Sequence, residues 1–158
     1  MRLNKTWTTH IPMLLKYVQE ADKPVLELGA GLFSTPLLHW ICKERGVNLR
    51  TYENVKEYFK FSKSFQSKSH RIRLISDWDK VENNGTFWSV VFIDHAPAER
   101  RHIDAIRFAN KADYVILHDS NENKLAYQYD EVYPHFKYRY DWKDCKPFTT
   151  VLSNFKKL

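Results

Sequence analysis

A chain of 158 residues, 43% hydrophobic and 28% charged, has the composition of one globular domain and is long enough to bury a core without staples. Its two cysteines, Cys42 and Cys145, form no Cys-x-x-Cys pair, which argues against a disulfide framework or a zinc finger. No apolar run approaches the ~20 residues of a membrane span, and Met1 to Lys5 has no signal-peptide core, so the expected compartment is the cytoplasm.

The first apolar period, Ile11, Leu14, Leu15 and Val18, predicts a helix over His10–Glu20, capped by Thr8 or Thr9 with Pro12 in its first turn. Residues 1–22 would then form a helical cover. Val25–Leu28 reads as a short buried strand running into Gly29-Ala30-Gly31. Ser34-Thr35-Pro36 predicts the cap of a second helix that ends at Gly46. A strand over Val47–Glu53 precedes a helix over Val55–Ser67, with Val55, Tyr58, Phe59 and Phe65 inward. Arg71–Ile75 is a third strand, Asn83-Asn84-Gly85 a turn, and Ser89–Ile93 a nearly all-apolar, hence central, fourth strand. A helix over Pro97–Asn110 and a strand over Asp113–Leu117 complete five β/α steps. A helix is expected to open Asn121–Phe136. Lys137–Trp142 alternates charge and aromatic as a half-buried strand does, and Phe148–Phe155 closes the chain, so 137–158 form a two-strand ending. The alternation of strands and amphipathic stretches predicts a single α/β domain over 1–158, three-layered and mostly parallel.

Ligands of open α/β sheets bind beyond the carboxyl ends of the strands, and the polar residues of this chain concentrate there. Gly29 permits a tight turn out of the first strand. Gly31 lets backbone approach a ligand, and the helix behind it offers free N–H groups. The third glycine of a dinucleotide fingerprint is replaced by Ser34. Glu27 would repel a pyrophosphate but could order the loop and meet an ammonium group. Both features favour S-adenosylmethionine over NAD. Glu53 ends the second strand, where an acid can accept from both ribose hydroxyls. Asp77 and Trp78 follow the third strand and are candidates for adenine contacts. Asp94-His95-Ala96-Pro97 and His118-Asp119-Ser120-Asn121 follow the fourth and fifth strands. They bring two carboxylates and two imidazoles together as an acid/base or metal-binding set.

At these residues the sequence resembles the class I S-adenosylmethionine-dependent methyltransferases over nearly its whole length. Glu27-x-Gly29-Ala30-Gly31, Glu53, Asp77-Trp78 and the strand ending in Asp94 follow that family's cofactor motifs in order. The resemblance implies a seven-stranded Rossmann-like sheet with the last strand antiparallel. It also implies cofactor contacts from Glu27, Gly29, Ala30, Gly31, Ser34, Glu53, Asp77, Trp78 and Asp94. A narrower likeness, Phe92-Ile93-Asp94-His95 with Leu117-His118-Asp119-Ser120, is to the catechol-type O-methyltransferases, whose corresponding acids hold magnesium. Asp94 and Asp119 match those acids. Ser120 stands where that family has Asn, with Asn121 one residue late, and Pro97 stands where it has its Lys base. The magnesium donor set is thus incomplete. His95 or His118 is then the expected base, beside Asp94 and Asp119.

A small-molecule, glycan-like or anionic acceptor is the expected partner, with O-methylation favoured and Arg100 and Arg101 as candidate anion contacts. Amino methylation of DNA bases is disfavoured, because its Pro-Pro-aromatic tetrapeptide is absent. The net charge of +6 and the cations and aromatics of residues 56–73 and 137–143 keep an RNA-binding protein or RNA methyltransferase as an alternative. An NAD-dependent oxidoreductase and a protein that binds the cofactor without methylating are further alternatives.

Overall fold

The computed structural model describes residues 5–81, 85–121 and 124–158, Lys5 and Lys124 by backbone alone. Seven strands form one sheet in the order β3-β2-β1-β4-β5-β7-β6: β1 (Val25–Leu28), β2 (Leu49–Glu53), β3 (His70–Leu74), β4 (Trp88–Ile93), β5 (Ala112–Leu117), β6 (Tyr138–Trp142) and β7 (Thr149–Ser153). β1 to β5 pair in parallel. β7 is inserted antiparallel between β5 and β6 and alone runs against the rest.

Every residue of β1 and β4 is buried, because helices cover both faces of the sheet. Alternate residues feed two cores, as the two-residue period of a strand requires. Val25, Leu49, Val90, Phe92 and Ile116 pack with Met13, Leu14 and Leu38 of α1 (Ile11–Val18) and α2 (Ser34–Arg45). Leu26, Leu28, Val91, Ile93 and Leu117 pack on the other face with Ala105 and Phe108 of α4 (Arg101–Phe108). Among the described residues no helix is long and apolar enough to cross a membrane.

Several local expectations change. His10, not Thr8 or Thr9, is the N-cap of α1, and it makes no side-chain cap bond. Phe33 precedes the first helical residue of α2, so Ser34 lies inside the helix with its hydroxyl free to turn inward. Gly46 ends α2 in the left-handed conformation as expected. The third helix stops early: α3 covers Lys56–Ser62, followed by a 3-10 turn, and its aromatics are only half-buried. The helix expected after Asn121 is described only as α5 (Lys124–Tyr127) and two 3-10 turns, with Glu122 and Asn123 outside the described residues. Asn83 and Asn84 of the expected turn also lie outside them. β6 is an edge strand, so Tyr138 and Tyr140 are each 38% exposed rather than core, and only Trp142 packs inward.

The strand register positions the site. Leu28 pairs with Tyr52 and Ile93, and Ile93 pairs with Leu117. The next residues, Gly29, Glu53, Asp94 and His118, therefore leave four neighbouring strands at one level.

Candidate active site

A cleft of about 300 Å³ opens at that level, the lower end of the range for small-molecule pockets. Of the expected residues, Ala30, Gly31 and Glu53 line one part of its wall, and Asp94, His95, His118 and Asp119 line another. Glu27, Gly29, Ser34, Asp77 and Trp78 stand behind the wall.

The β1 turn is built on Glu27. Its carboxylate is fully buried and accepts from Ser34 Oγ (2.7 Å), Thr35 Oγ1 (3.0 Å) and Thr51 Oγ1 (2.7 Å). Burial pushes its pKa up to about 7, against the pull of the three hydroxyls. Thr51 Oγ1 also meets His70 Nε2 at 2.8 Å, and His70 Nδ1 meets His39 Nδ1 at 3.1 Å, so the network runs on toward the surface. The expected ammonium contact of Glu27 and the cofactor contact of the Ser34 hydroxyl are replaced by a contact between the two. Together they tie the turn to α2 from below. A Cβ on Gly31 would lie 2.6 Å from that Ser34 hydroxyl. Gly29 has φ +95°, and the turn there presses on the backbone of Asp94 and His95.

Glu53 is 3% exposed. It accepts from Ala30 N (2.6 Å) through one oxygen and from Asn54 N (2.7 Å) and Val55 N (2.6 Å) through the other. Burial raises its pKa and these backbone N–H groups oppose the rise. The carboxylate thereby joins the β1 and β2 turns while forming part of the cleft wall.

Asp77 caps a 3-10 turn through Asp79 N (2.9 Å). Trp78 stacks on His95, with ring centroids 4.0 Å apart, and its Nε1 donates to the Ala96 carbonyl. Neither lines the cleft in which the adenine contact was expected. The wall at that place is Ala96 with Val55 and Tyr58, the last two of which had read as core-facing from their periodicity.

His95 turns its imidazole out of the cleft. Nε2 lies 3.0 Å from Asp104 Oδ2, the side chain is 0% exposed, and burial lowers its pKa. It is a packing residue rather than the expected base. His118 faces the cleft: Nδ1 lies 3.2 Å from Asp94 Oδ1 and Nε2 lies 3.0 Å from Thr9 Oγ1. Burial pulls its pKa down, but Asp94 and Asp119 outweigh that and hold it above the ordinary value. Burial alone would raise Asp94, yet His118 and Arg101 bring it to about 2.

Arg101 is the residue whose role changes most. It does not reach out for an anion. Its guanidinium lies between the two acids, Nη2 3.0 Å from Asp94 Oδ1 and Nη1 3.0 Å from Asp119 Oδ2, while Nε donates to the His95 carbonyl. Tyr127 also donates to Asp119, which sits at φ +58°, a rare conformation for a residue other than glycine. Asn121 accepts from Phe148 N instead of turning toward these acids. The oxygen donors of a catechol-type magnesium site are thus consumed by protein partners, and this chain does not fit that ion. Arg100 pairs with Asp79 and Asp104, outside the cleft.

The chain matches no family model and no curated protein. Solved structures match it over nearly its full length. An O-methyltransferase from Bacillus cereus in complex with S-adenosylhomocysteine has a TM-score of 0.64 and 15% identity, over 96% of this chain and 82% of that one. Cofactor-bound Rv0187 from MTB has a TM-score of 0.66 and 16% identity, over 99% and 83%. A human methyltransferase 10 domain containing protein has a TM-score of 0.65 and 11% identity, over 98% and 85%. The chain has the class I methyltransferase fold.

Within that fold the sequence reading missed His10, Trp7 and Tyr58 in the cleft wall. His10 reaches it because α1 crosses the sheet, seating its ring 5.0 Å from that of Phe92. The sequence signal there was only that of a helix start.

Proposed function

We propose that this protein transfers a methyl group from S-adenosylmethionine to a small or anionic acceptor, through oxygen. The observation that carries the reading is the charge of the cleft. Among the described residues of its wall, Glu53, Asp94 and Asp119 are set against one guanidinium, that of Arg101, which pairs with the last two, and the turn above α2 offers no cradle free of carboxylate for a pyrophosphate. Such a site suits a cationic sulfonium ligand and disfavours NAD.

Bound there, S-adenosylmethionine would supply an activated methyl for in-line displacement, with the C–S bond breaking as the acceptor oxygen attacks. Glu53 would take the ribose hydroxyls, and Val55, Tyr58 and Ala96 would flank the adenine. His118, oriented by Asp94 and Thr9, would receive the acceptor's proton. Positioning supplies most of the rate in such a reaction, and the base contributes roughly 10²–10⁴-fold.

Calorimetric titration with S-adenosylmethionine, S-adenosylhomocysteine and NADH tests the reading. The two sulfur nucleotides should bind and NADH should not. Glu53→Gln should weaken binding by about 10- to 100-fold, the worth of a charged hydrogen bond, with the variant's thermal unfolding recorded alongside. NADH binding alone would transfer the cleft to oxidoreductase chemistry.

Once an acceptor is in hand, His118→Gln should lower kcat with little change in cofactor affinity. His95→Gln should lower stability instead. Equal kcat for wild type and His118→Gln would remove the base assignment. Asp141 offsets part of the charge of the basic segment, 2.8 Å from Arg139 and 3.9 Å from Lys143, which counts against nucleic acid as the acceptor.

A further inference from the structure

We propose that His10, Asp94 and His118 form a binding site for a divalent transition-metal ion, with Zn2+ as its type. One ligating atom from each residue lies within 4.8 Å of the others. The three come from different parts of the fold: the N-cap of α1, the residue after β4 and the residue after β5. They meet in the wall of the cleft. This site shares Asp94 with the Asp94–Asp119 pair that Arg101 bridges and differs from it in its two imidazole donors, and it does not depend on the methyltransferase reading.

His10 is the pointer. It is 3% exposed, its ring meets that of His118 edge-on at 4.7 Å, and among the described residues neither ring nitrogen has a hydrogen-bond partner. Native proteins keep few unpartnered buried polar groups without a purpose.

The neighbours provide the support that metal ligands require. Thr9 Oγ1 engages Nε2 of His118, which leaves Nδ1 as the donor atom. Nδ1 lies 3.2 Å from Asp94 but makes no well-directed hydrogen bond. Arg101 fixes the Asp94 carboxylate through Oδ1. Contacts of this kind set the tautomer and orientation of metal ligands. Two imidazoles and one carboxylate suit zinc, iron, cobalt or nickel rather than magnesium or calcium. A three-ligand site on a cleft wall keeps a coordination position open, as catalytic zinc sites do. An ion there would hold an acceptor oxygen.

The test is a titration of chelator-treated full-length protein with Zn2+ by calorimetry and with Co2+ by visible absorption, no cofactor present. One equivalent should bind, and the Co2+ spectrum should lack a thiolate charge-transfer band. Thr9→Val should weaken binding by roughly 10- to 100-fold, the usual cost of a lost supporting contact, and His10→Ala by more. His135→Ala, at an exposed histidine outside the cleft, should change nothing. Absence of binding by the wild type, or binding insensitive to His10→Ala, overturns the proposal. The wild-type titration decides even if a variant fails to fold. Cofactor binding by the metal-free protein would leave the methyltransferase reading intact, whereas an ion held by His118 Nδ1 would replace that residue as the base.

Discussion

Replacing Arg101 with alanine should destabilise the protein by roughly 3–5 kcal/mol, the cost of breaking a buried ion pair by removing one partner. Arg101 is 7% exposed, and its guanidinium touches three acceptors: Asp94, Asp119 and the His95 carbonyl. Without it two carboxylates face each other beside His118. Asp119→Asn added to Arg101→Ala should recover a large part of the loss, because it removes one of the stranded charges. Arg101→Lys should fall between, since an ammonium keeps the charge but not the forked geometry. Urea unfolding at neutral pH measures all three, and the midpoint should shift with little change in slope. A loss below about 1 kcal/mol for Arg101→Ala would mean that water screens the cluster as it does a surface pair.

Gly29→Ala should be comparably damaging for a different reason. At φ +95° a side chain is strained by about 1–3 kcal/mol. The added Cβ would also lie 2.6 Å from both Cα and N of His95, backbone atoms that cannot turn aside. Relief requires the β1 and β4 turns to separate, and those turns carry Ala30, Gly31 and Asp94 of the cleft wall. The variant should therefore lose both stability and S-adenosylmethionine binding. Gly46→Ala is the control: its φ is +68° but a Cβ there meets nothing within 4 Å, so it should cost only about 1 kcal/mol and leave binding untouched. Equal stability of the two variants would show that the close approach to His95 carries no weight.

These two sites mark the boundary between what a reader of the sequence can and cannot see. The Gly29-Ala30-Gly31 turn was legible because glycines after a short apolar strand have few other uses. The arrangement of Arg101 was not. Asp94, Arg101 and Asp119 lie 7 and 18 residues apart on a strand end, a helix and a loop, and no periodicity says that they converge. Read one at a time, the arginine looked like an anion contact and the acids like metal ligands, and the fold satisfies them with one another instead.

The antiparallel last strand was implied by the family resemblance, whereas the alternation of strands and helices, the burial of β1 and β4 and the Gly46 helix end were determined by the sequence itself. Each follows from local pattern: apolar runs without polar interruption need cover on both faces, and a left-handed stop needs glycine. Only the tertiary structure decided which polar groups meet. It put the Glu27 carboxylate under Ser34 and Thr51, turned His95 onto Trp78 and His118 into the cleft, and carried His10 across the sheet to Asp94. Those pairings depend on strand order and register, which are set by packing between residues distant in the chain, and a local pattern carries no record of them.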